Sequence, residues 1–446
     1  MTVDFERQQE AGTLLTHQVL DRIRALGVDS GEVSVSYAQG HELSVRGAQR
    51  ESAEHYQSQS LTITLIANHR KGVVTTSDYR LDQLDTLLEK ALALTRHVGQ
   101  DLCHGLPDPD AMATDYPDLD LYHPQRFDAD GIERLLLACE AAGRGYDQAI
   151  EPSSEVSYSA ISSYSIYANT AGFYGICPKT RYALSCTVIA KDASGKMQRQ
   201  GDYTVSRAHE DLSAPEVLAE QVAKQAVSRL GARTVKTQYA PVVFSPEVAI
   251  DFLSYIVRAM SGPALYRGAS YLADQLGQSI FPEAIELVQR PHIKKSMGGC
   301  AFDQDGLMTR EQAYVTGGVL SSYVLDTYAA RRLNLASTAN AGGVFNLAIS
   351  HTEDDLSALL AKMGTGLWVT EVFSQGVDLV TGDYSKAATG FWVENGEITT
   401  PLQEFTIASN LSKMCKDLVA VGNDVDVRGR LHSGSMWIRE MSISGL

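Results

Sequence analysis

The chain lacks any stretch near the ~18 uncharged apolar residues that a membrane-spanning helix needs, so no span is expected. It also lacks basic runs. The longest are "HRK" (His69–Lys71) and "KK" (Lys294–Lys295), in a chain of 446 residues with a net charge of −16. Tracking a phosphate backbone requires clustered Lys and Arg, which excludes direct nucleic-acid binding as the main activity. The same charge disfavours an anionic membrane surface. The six cysteines form no C-x-x-C pair, so they read as reduced thiols of a cytosolic protein. The N-terminus, "MTVDFERQQEAGTLL", has early acids and no apolar core, unlike a secretory signal. A cytoplasmic location is expected.

Catalytic signatures are equally sparse. There is no Gly-x4-Gly-Lys-Ser/Thr loop, and "MGTGLW" (Met363–Trp368) offers a lone Gly-x-Gly that reads as a turn. No Ser sits in a Gly-x-Ser-x-Gly elbow or three residues before a Lys. The 11 histidines are scattered, with none three to five residues from another. His41-Glu42 begins like a zinc-peptidase motif, but Val45 and Arg46 follow where a histidine would be needed. Asp424 and Asp426, in "GNDVDVRG", could act as acid and base or hold a hard cation. They also fit a turn in which Asn and Asp bond their own backbone.

The patterns that are present describe an α+β chain in two parts. Residues 6–26 carry Leu14, Leu15, Val19, Leu20 and Ile23 at helical spacing, ahead of Gly27. "EVSVSYA" (Glu32–Ala38), "HELSVRG" and "SLTITLIA" (Ser60–Ala67) then alternate as strands of an antiparallel meander. A helix with Leu81, Leu84, Leu87, Leu88, Ala91 and Leu92 on its apolar side follows. A loop rich in Pro and Asp (Leu106–Pro124) is expected to wrap the surface. Further along are a helix at Gly131–Ala142 and strands from Ser153 onward. A helix capped at Ser213-Ala-Pro-Glu216 ends at Gly231. The boundary falls near Thr234–Ala240, dividing an N-terminal antiparallel sheet with helices (1–235) from a C-terminal strand-rich mixed sheet or barrel-like domain (236–446). In the second part, Ser245-Pro246-Glu247 opens a helix apolar around most of its circumference, which should be buried. "VTGGVL" and "VENGEI" read as hairpins, because Gly-Gly and Asn-Gly supply positive φ. Short helices are expected at Ser357–Met363 and Asn410–Lys416.

Several long segments resemble the TldD/PmbA family, on its PmbA (TldE) branch. They are "STANAGGVFNL" (Ser337–Leu347), "GTGLWVTEVFSQGVDLVTGDYSKAATGFWVENGEI", "EFTIASNLSKM" (Glu404–Met414) and "VAVGNDVDVRGRLHSGS" (Val419–Ser435). "NHRKGVVTTSD", "PDLDLYHP" and "RYALSCTVIA" extend the resemblance into the first part. It implies a cytosolic metallopeptidase complex that processes or degrades unfolded peptides, including maturation of a gyrase-directed microcin. In that complex a TldD-type catalytic subunit pairs with a PmbA/TldE subunit. Isolated members are expected to associate, here as a homodimer.

The catalytic branch carries His-Glu-x-x-x-His on a helix, with a cysteine near the C-terminus. Residues five apart on a helix point ~140° away from each other, so one metal reaches both only through a distortion such as a π-bulge. Here the corresponding helix is "FLSYIVRAMSG", and the resemblance sets Ser254, Tyr255 and Ala259 at the ligand, glutamate and ligand positions. A hydroxyl, a phenol and a methyl group cannot make a zinc site. No cysteine stands in "RLHSGSMW", although His432 lies there. No catalytic residue, metal or cofactor is therefore expected in this chain, and zinc is expected in the partner. The loop before "FWVENGEI" (Thr381, Gly382, Asp383, Tyr384, Ser385, then Lys386) is expected to rim the cavity and hold extended peptide by strand addition. Phe391 and Trp392 read as core. Two alternatives stand beside this: a self-contained hydrolase using Asp424 and Asp426 or an unmarked serine, and a peptide-binding module without a peptidase partner.

Overall fold

The structure, a computed structural model, describes residues 2–152, 154–373 and 376–445. Ser153, where the sequence places the start of a strand, lies outside the described residues. The first part is one antiparallel sheet. Its strands are β1 (Ser30–Arg46), β2 (Gln49–Ala67), β3 (Arg70–Thr76), β4 (Glu155–Asn169), β5 (Tyr174–Lys191) and β6 (Met197–Ser206), in the order β3-β2-β1-β4-β5-β6. "EVSVSYA" and "HELSVRG" are not separate strands. β1 runs through Gly40, where an added Cβ would lie 2.5 Å from the Tyr56 ring, so the glycine lets that aromatic cross the sheet.

Alternation puts Val33, Val35, Tyr37, Leu43 and Val45 on one face of β1. Four helices cover that face in pairs. Helices α1 (Thr2–Ala25) and α2 (Leu84–Thr95) pack over Val33, Val35, Leu61, Ile63 and Ile166. Helices α3 (Ala129–Gly145) and α4 (Pro215–Ser228) pack over Leu43, Val45, Val156, Leu184 and Cys186. The opposite face carries Ser34, Ser36, Ser159, Ser163, Lys179 and Arg181. Among the described residues, β2 has no outer partner from Gln49 to Ser58, since β3 begins to pair at Leu61. The cap expected at Ser213 moves: Ala214 is the N-cap of α4, with Pro215 as its first helical residue and no side-chain cap bond. Leu81 also falls outside α2, in an exposed turn.

The second part continues with β7 (Gln238–Phe244), α5 (Pro246–Ala259), α6 (Gly262–Tyr266), β8 (Leu287–Gln289), β9 (Gln312–Thr316) and β10 (Val319–Leu320). Then come α7 (Thr327–Leu333), β11 (Leu347–Ile349), α8 (Leu356–Met363), β12 (Gly366–Phe373), β13 (Asp383–Glu394) and β14 (Glu397–Asn410). Helix α9 (Leu411–Lys416), β15 (Leu418–Val421), β16 (Leu431–His432) and β17 (Met436–Ser444) complete it. Strands β14-β13-β12-β7-β17 close into a barrel because β17 also pairs with β14, and only β7 and β12 run parallel within it. A smaller sheet, β10-β9-β8-β11-β16, lies alongside. Both expected hairpins form, with positive φ at Gly317 and Gly318 and at Asn395 and Gly396. Ser245 is the N-cap of α5, but its hydroxyl makes no cap bond. Helix α5 is clamped between the sheets. Its Phe252, Leu253 and Ile256 share one core with Phe244, Leu287, Tyr314, Leu347 and Val369. No described helix is long and apolar enough to cross a membrane.

The Pro- and Asp-rich loop is more than a surface wrap, because it straps the two parts together. Met112 bridges to Leu307, Leu119 O accepts from Lys295 N (2.9 Å) and Leu121 O from Thr180 N (2.9 Å). Met112, Ala113, Tyr167, Phe173 and Phe302 form a small core beneath it. Arg331 holds the strap by donating to the carbonyls of Cys103, Gly105 and Leu106 at 3.3, 2.9 and 2.6 Å. Hydrogen bonds from a charged donor contribute about 1.5–3 kcal/mol. Arg331→Ala is thus expected to raise amide exchange across residues 101–116 while barrel amides keep their protection. Unchanged exchange in the strap would show that it is held by its apolar contacts alone.

Candidate functional site

Burial decides which part of α5 can do chemistry. Val248, Ala249, Phe252, Leu253, Ile256 and Ala259 face the core, which leaves Asp251, Ser254, Tyr255 and Arg258 on the opposite stripe. Ser254 Oγ donates to its own helix, at the Asp251 carbonyl (2.6 Å). Ala259 is fully buried, and its carbonyl accepts from Ser270 Oγ at 2.6 Å. Ser254 and Ala259 therefore point to different surroundings, as residues five apart on an undistorted helix should.

Tyr255 meets the barrel. On β13, Tyr384, Lys386 and Ala388 alternate toward the interior and are buried. The Tyr255 and Tyr384 rings meet edge to face with centroids 6.4 Å apart. Lys386 Nζ lies 4.9 Å from the centre of the Tyr255 ring and 2.8 Å from Asp251 Oδ2. Arg258 covers the same ring at 5.5 Å. The Lys386 ammonium is 4 % exposed, whereas Asp251 is 32 % exposed. Burial disfavours the charge on Lys386, but the bond to Asp251 and contact with Tyr255 outweigh it and hold its pKa above the ordinary value. Burial raises the Tyr384 phenol, whose hydroxyl has no partner among the described residues.

The loop residues divide by exposure. Thr381, Asp383 and Ser385 are exposed, while Gly382 and Tyr384 are buried. Strand addition at this point finds no free edge. β14 pairs with residues 383–388 on one side. On the other, Ser385 N donates to Gly376 O (2.6 Å), Asp378 N donates to Asp383 O (2.9 Å), and Val377 bridges Tyr384. The expectation that Tyr384 and its backbone hold a peptide is corrected accordingly: the ring fills core and the backbone is already paired. Asp383 instead sits beside Asn410, whose Nδ2 reaches Thr381 O at 2.9 Å. Phe391 is buried as expected, stacked on Trp368 with centroids 5.3 Å apart.

The other candidates lie elsewhere. Asp424 accepts from Ser435 N and Oγ at 2.9 and 2.7 Å, and Asp426 is bidentate with Arg428. Burial opposes ionisation of Asp426, yet Arg428 outweighs it and keeps its pKa below the ordinary range. The two acids are thus occupied in structural bonds and do not form an acid–base pair. His432 lines a separate cavity of about 450 Å³ with Glu286, Val288, Arg290 and His351, while its neighbour Leu431 packs toward the α5 core. The sequence does not single out Asp251, and Lys386, expected on the cavity rim, is instead buried and paired with it. The available signal was a lysine at an inward phase of β13 and an acid one turn before Tyr255.

Residues 31–95, 122–230 and 237–445 match, in turn, PmbA/TldA metallopeptidase domain 1, central domain and C-terminal domain. The first two matches contribute to one continuous sheet here. A PmbA metalloprotease homologue of Haemophilus influenzae is 37% identical over 93% of this chain and 92% of its own. Among solved structures, a candidate modulator of DNA gyrase from Bacteroides thetaiotaomicron superposes with a TM-score of 0.92 at 24% identity, covering 97% of this chain and 99% of that one. TldE from Thermococcus kodakarensis superposes with a TM-score of 0.84 at 18% identity, covering 97% and 100%.

Removing Lys386 strands a partly buried carboxylate. Lys386→Met is expected to cost about 1–3 kcal/mol in denaturant unfolding, less than a fully buried pair because Asp251 keeps some solvent. The raised folded-state pKa places the pair's full contribution below the ordinary lysine range, with loss only as pH rises through the higher folded value. The difference between wild type and variant should therefore be flat from about pH 6 to 9. A difference that shrinks across neutral pH would refute the assignment.

Proposed function

The chain belongs to the PmbA/TldD metallopeptidase family, and from that premise we propose that it is the subunit that shapes the peptide chamber while a TldD-type partner supplies the zinc chemistry. The observation that carries this reading is the occupancy of the α5 stripe. A catalytic zinc needs three protein ligands and an open position. Ser254 spends its hydroxyl on its own helix, Tyr255 is packed under two cations, and Ala259 is in the core. A buried ammonium at Lys386 would also repel a dication placed next to Tyr255. These residues do not fit a zinc ion, and no step of catalysis is assigned to them.

In this reading the substrate is unfolded or small peptide, and the exposed Thr381, Asp383 and Ser385 line its approach. The edge of β2 from Gln49 to Ser58, unpaired among the described residues, supports association with a second chain, a TldD-type partner or, for the isolated protein, another copy. Six thiols without disulfides support a reducing, cytosolic setting. The net charge of −16 supports a link to gyrase that runs through a peptide and not through DNA.

The purified chain is expected to leave an unstructured peptide intact, with or without added zinc. Mixed with a TldD-type subunit, it is expected to support cleavage that a chelator abolishes. Chelator-sensitive cleavage by this chain alone would overturn the division of labour.

A further inference from the structure

In an acidic protein, a buried guanidinium without a carboxylate partner requires an explanation. Arg207 is 5 % exposed and, among the described residues, its guanidinium is held by carbonyls alone: Thr180 O at 2.9 Å, Met297 O at 2.9 Å and Ser296 O at 3.3 Å. It thereby ties β5 of the first part to the second part. Two other arginines on the junction are neutralised by acids. Arg428 meets Asp202, Glu247 and Asp426, and Arg229 meets Glu371.

Further cations gather around Arg207. Lys179 and Arg181 flank Thr180 on β5 and project from the sheet face opposite the helices, beside Ser163 and Ile161 of β4. Across the junction, Met297 leads into Gly298, which is packed so closely that an added Cβ would lie 2.9 Å from Arg430 Cα. Arg430 is pinned by Gly342 O at 2.8 Å and by the Phe345 ring at 5.7 Å. Among the described residues, Lys179, Arg181, Arg207 and Arg430 form no salt bridge. Burial depresses the Arg207 pKa, the nearby Cys177 thiol partly offsets this, and Arg181 and Arg430 add like charge.

We propose that these four residues form an anion site across the domain junction that takes the C-terminal carboxylate of an extended peptide. The proposal rests on the peptide-handling reading above and deepens it. Unfolded substrates share no side-chain sequence, so an anchor common to them must use the main chain or a terminus. The anionic group present on every such peptide is its terminal carboxylate, which guanidinium groups bind in bidentate geometry. Uncompensated cations on low-dielectric walls concentrate such a group before contact.

The test uses N-terminally dye-labelled, unstructured peptides without Asp or Glu, prepared as free acid and as amide. Binding to the full chain is followed by fluorescence anisotropy. The free acid is expected to bind at least about 10-fold more tightly, the worth of one charge-assisted hydrogen bond. That preference should vanish in Lys179→Gln/Arg181→Gln/Arg430→Gln, which spares the buried Arg207. Equal binding of acid and amide, or a preference that survives in the variant, overturns the site while leaving peptide handling intact. An amidated peptide with one internal Glu that binds as well as the free acid assigns the cluster to side-chain carboxylates and also overturns it. No binding of either peptide overturns both the site and the peptide-holding role.

Discussion

Everything about the C-terminal half turns on how α5 is held. A 14-residue helix between a closed barrel and a second sheet must bury most of its circumference. That leaves one narrow stripe for polar groups, and on it Asp251, Ser254, Tyr255 and Arg258 lie about a turn apart. The stripe faces β13, so its chemistry is decided by what β13 turns inward. β13 offers a lysine, and the ammonium must find a carboxylate to remain charged in that setting. Asp251 is the carboxylate within reach.

This arrangement fixes the site from several sides at once. Tyr255 is pinned by two cations and by the edge of Tyr384, and Lys386 is pinned by Asp251 and the barrel wall. Groups so constrained can shape a surface and set its potential. The same economy governs the domain junction, where Arg428 and Arg229 are neutralised by acids and the strap is fixed by Arg331. At Arg207 carbonyls take the place of acids, with Thr180, Ser296 and Met297 accepting from its guanidinium.

Much of this was legible along the chain because the determinants are local. The Gly-Gly and Asn-Gly hairpins need only positive φ at two successive residues, and both formed. The burial of α5 followed from its apolar circumference. Other expectations failed where a neighbour distant in sequence intervened. Gly40 did not end β1, because Tyr56 from the next strand needed the space. Ser213 is a local exception, since Ala214 takes the N-cap position and Pro215 the first helical one. Tyr384 did not rim a cavity, because residues 376–378 fold back and pair with its backbone.

By itself, the sequence determined the α+β character, the turn positions and which side chains α5 carries. These depend on periodicity, on φ and on which atoms a side chain possesses. Tertiary structure alone decided that Lys386 pairs with a residue 135 positions away, that a Pro-rich loop straps two halves together, and that Arg207 is held between Thr180 and the carbonyls of Ser296 and Met297. Those outcomes depend on which chain segments meet once barrel and sheet have closed. Electrostatic partners are selected by that proximity and by the low dielectric it creates, and neither is encoded in any short stretch of residues.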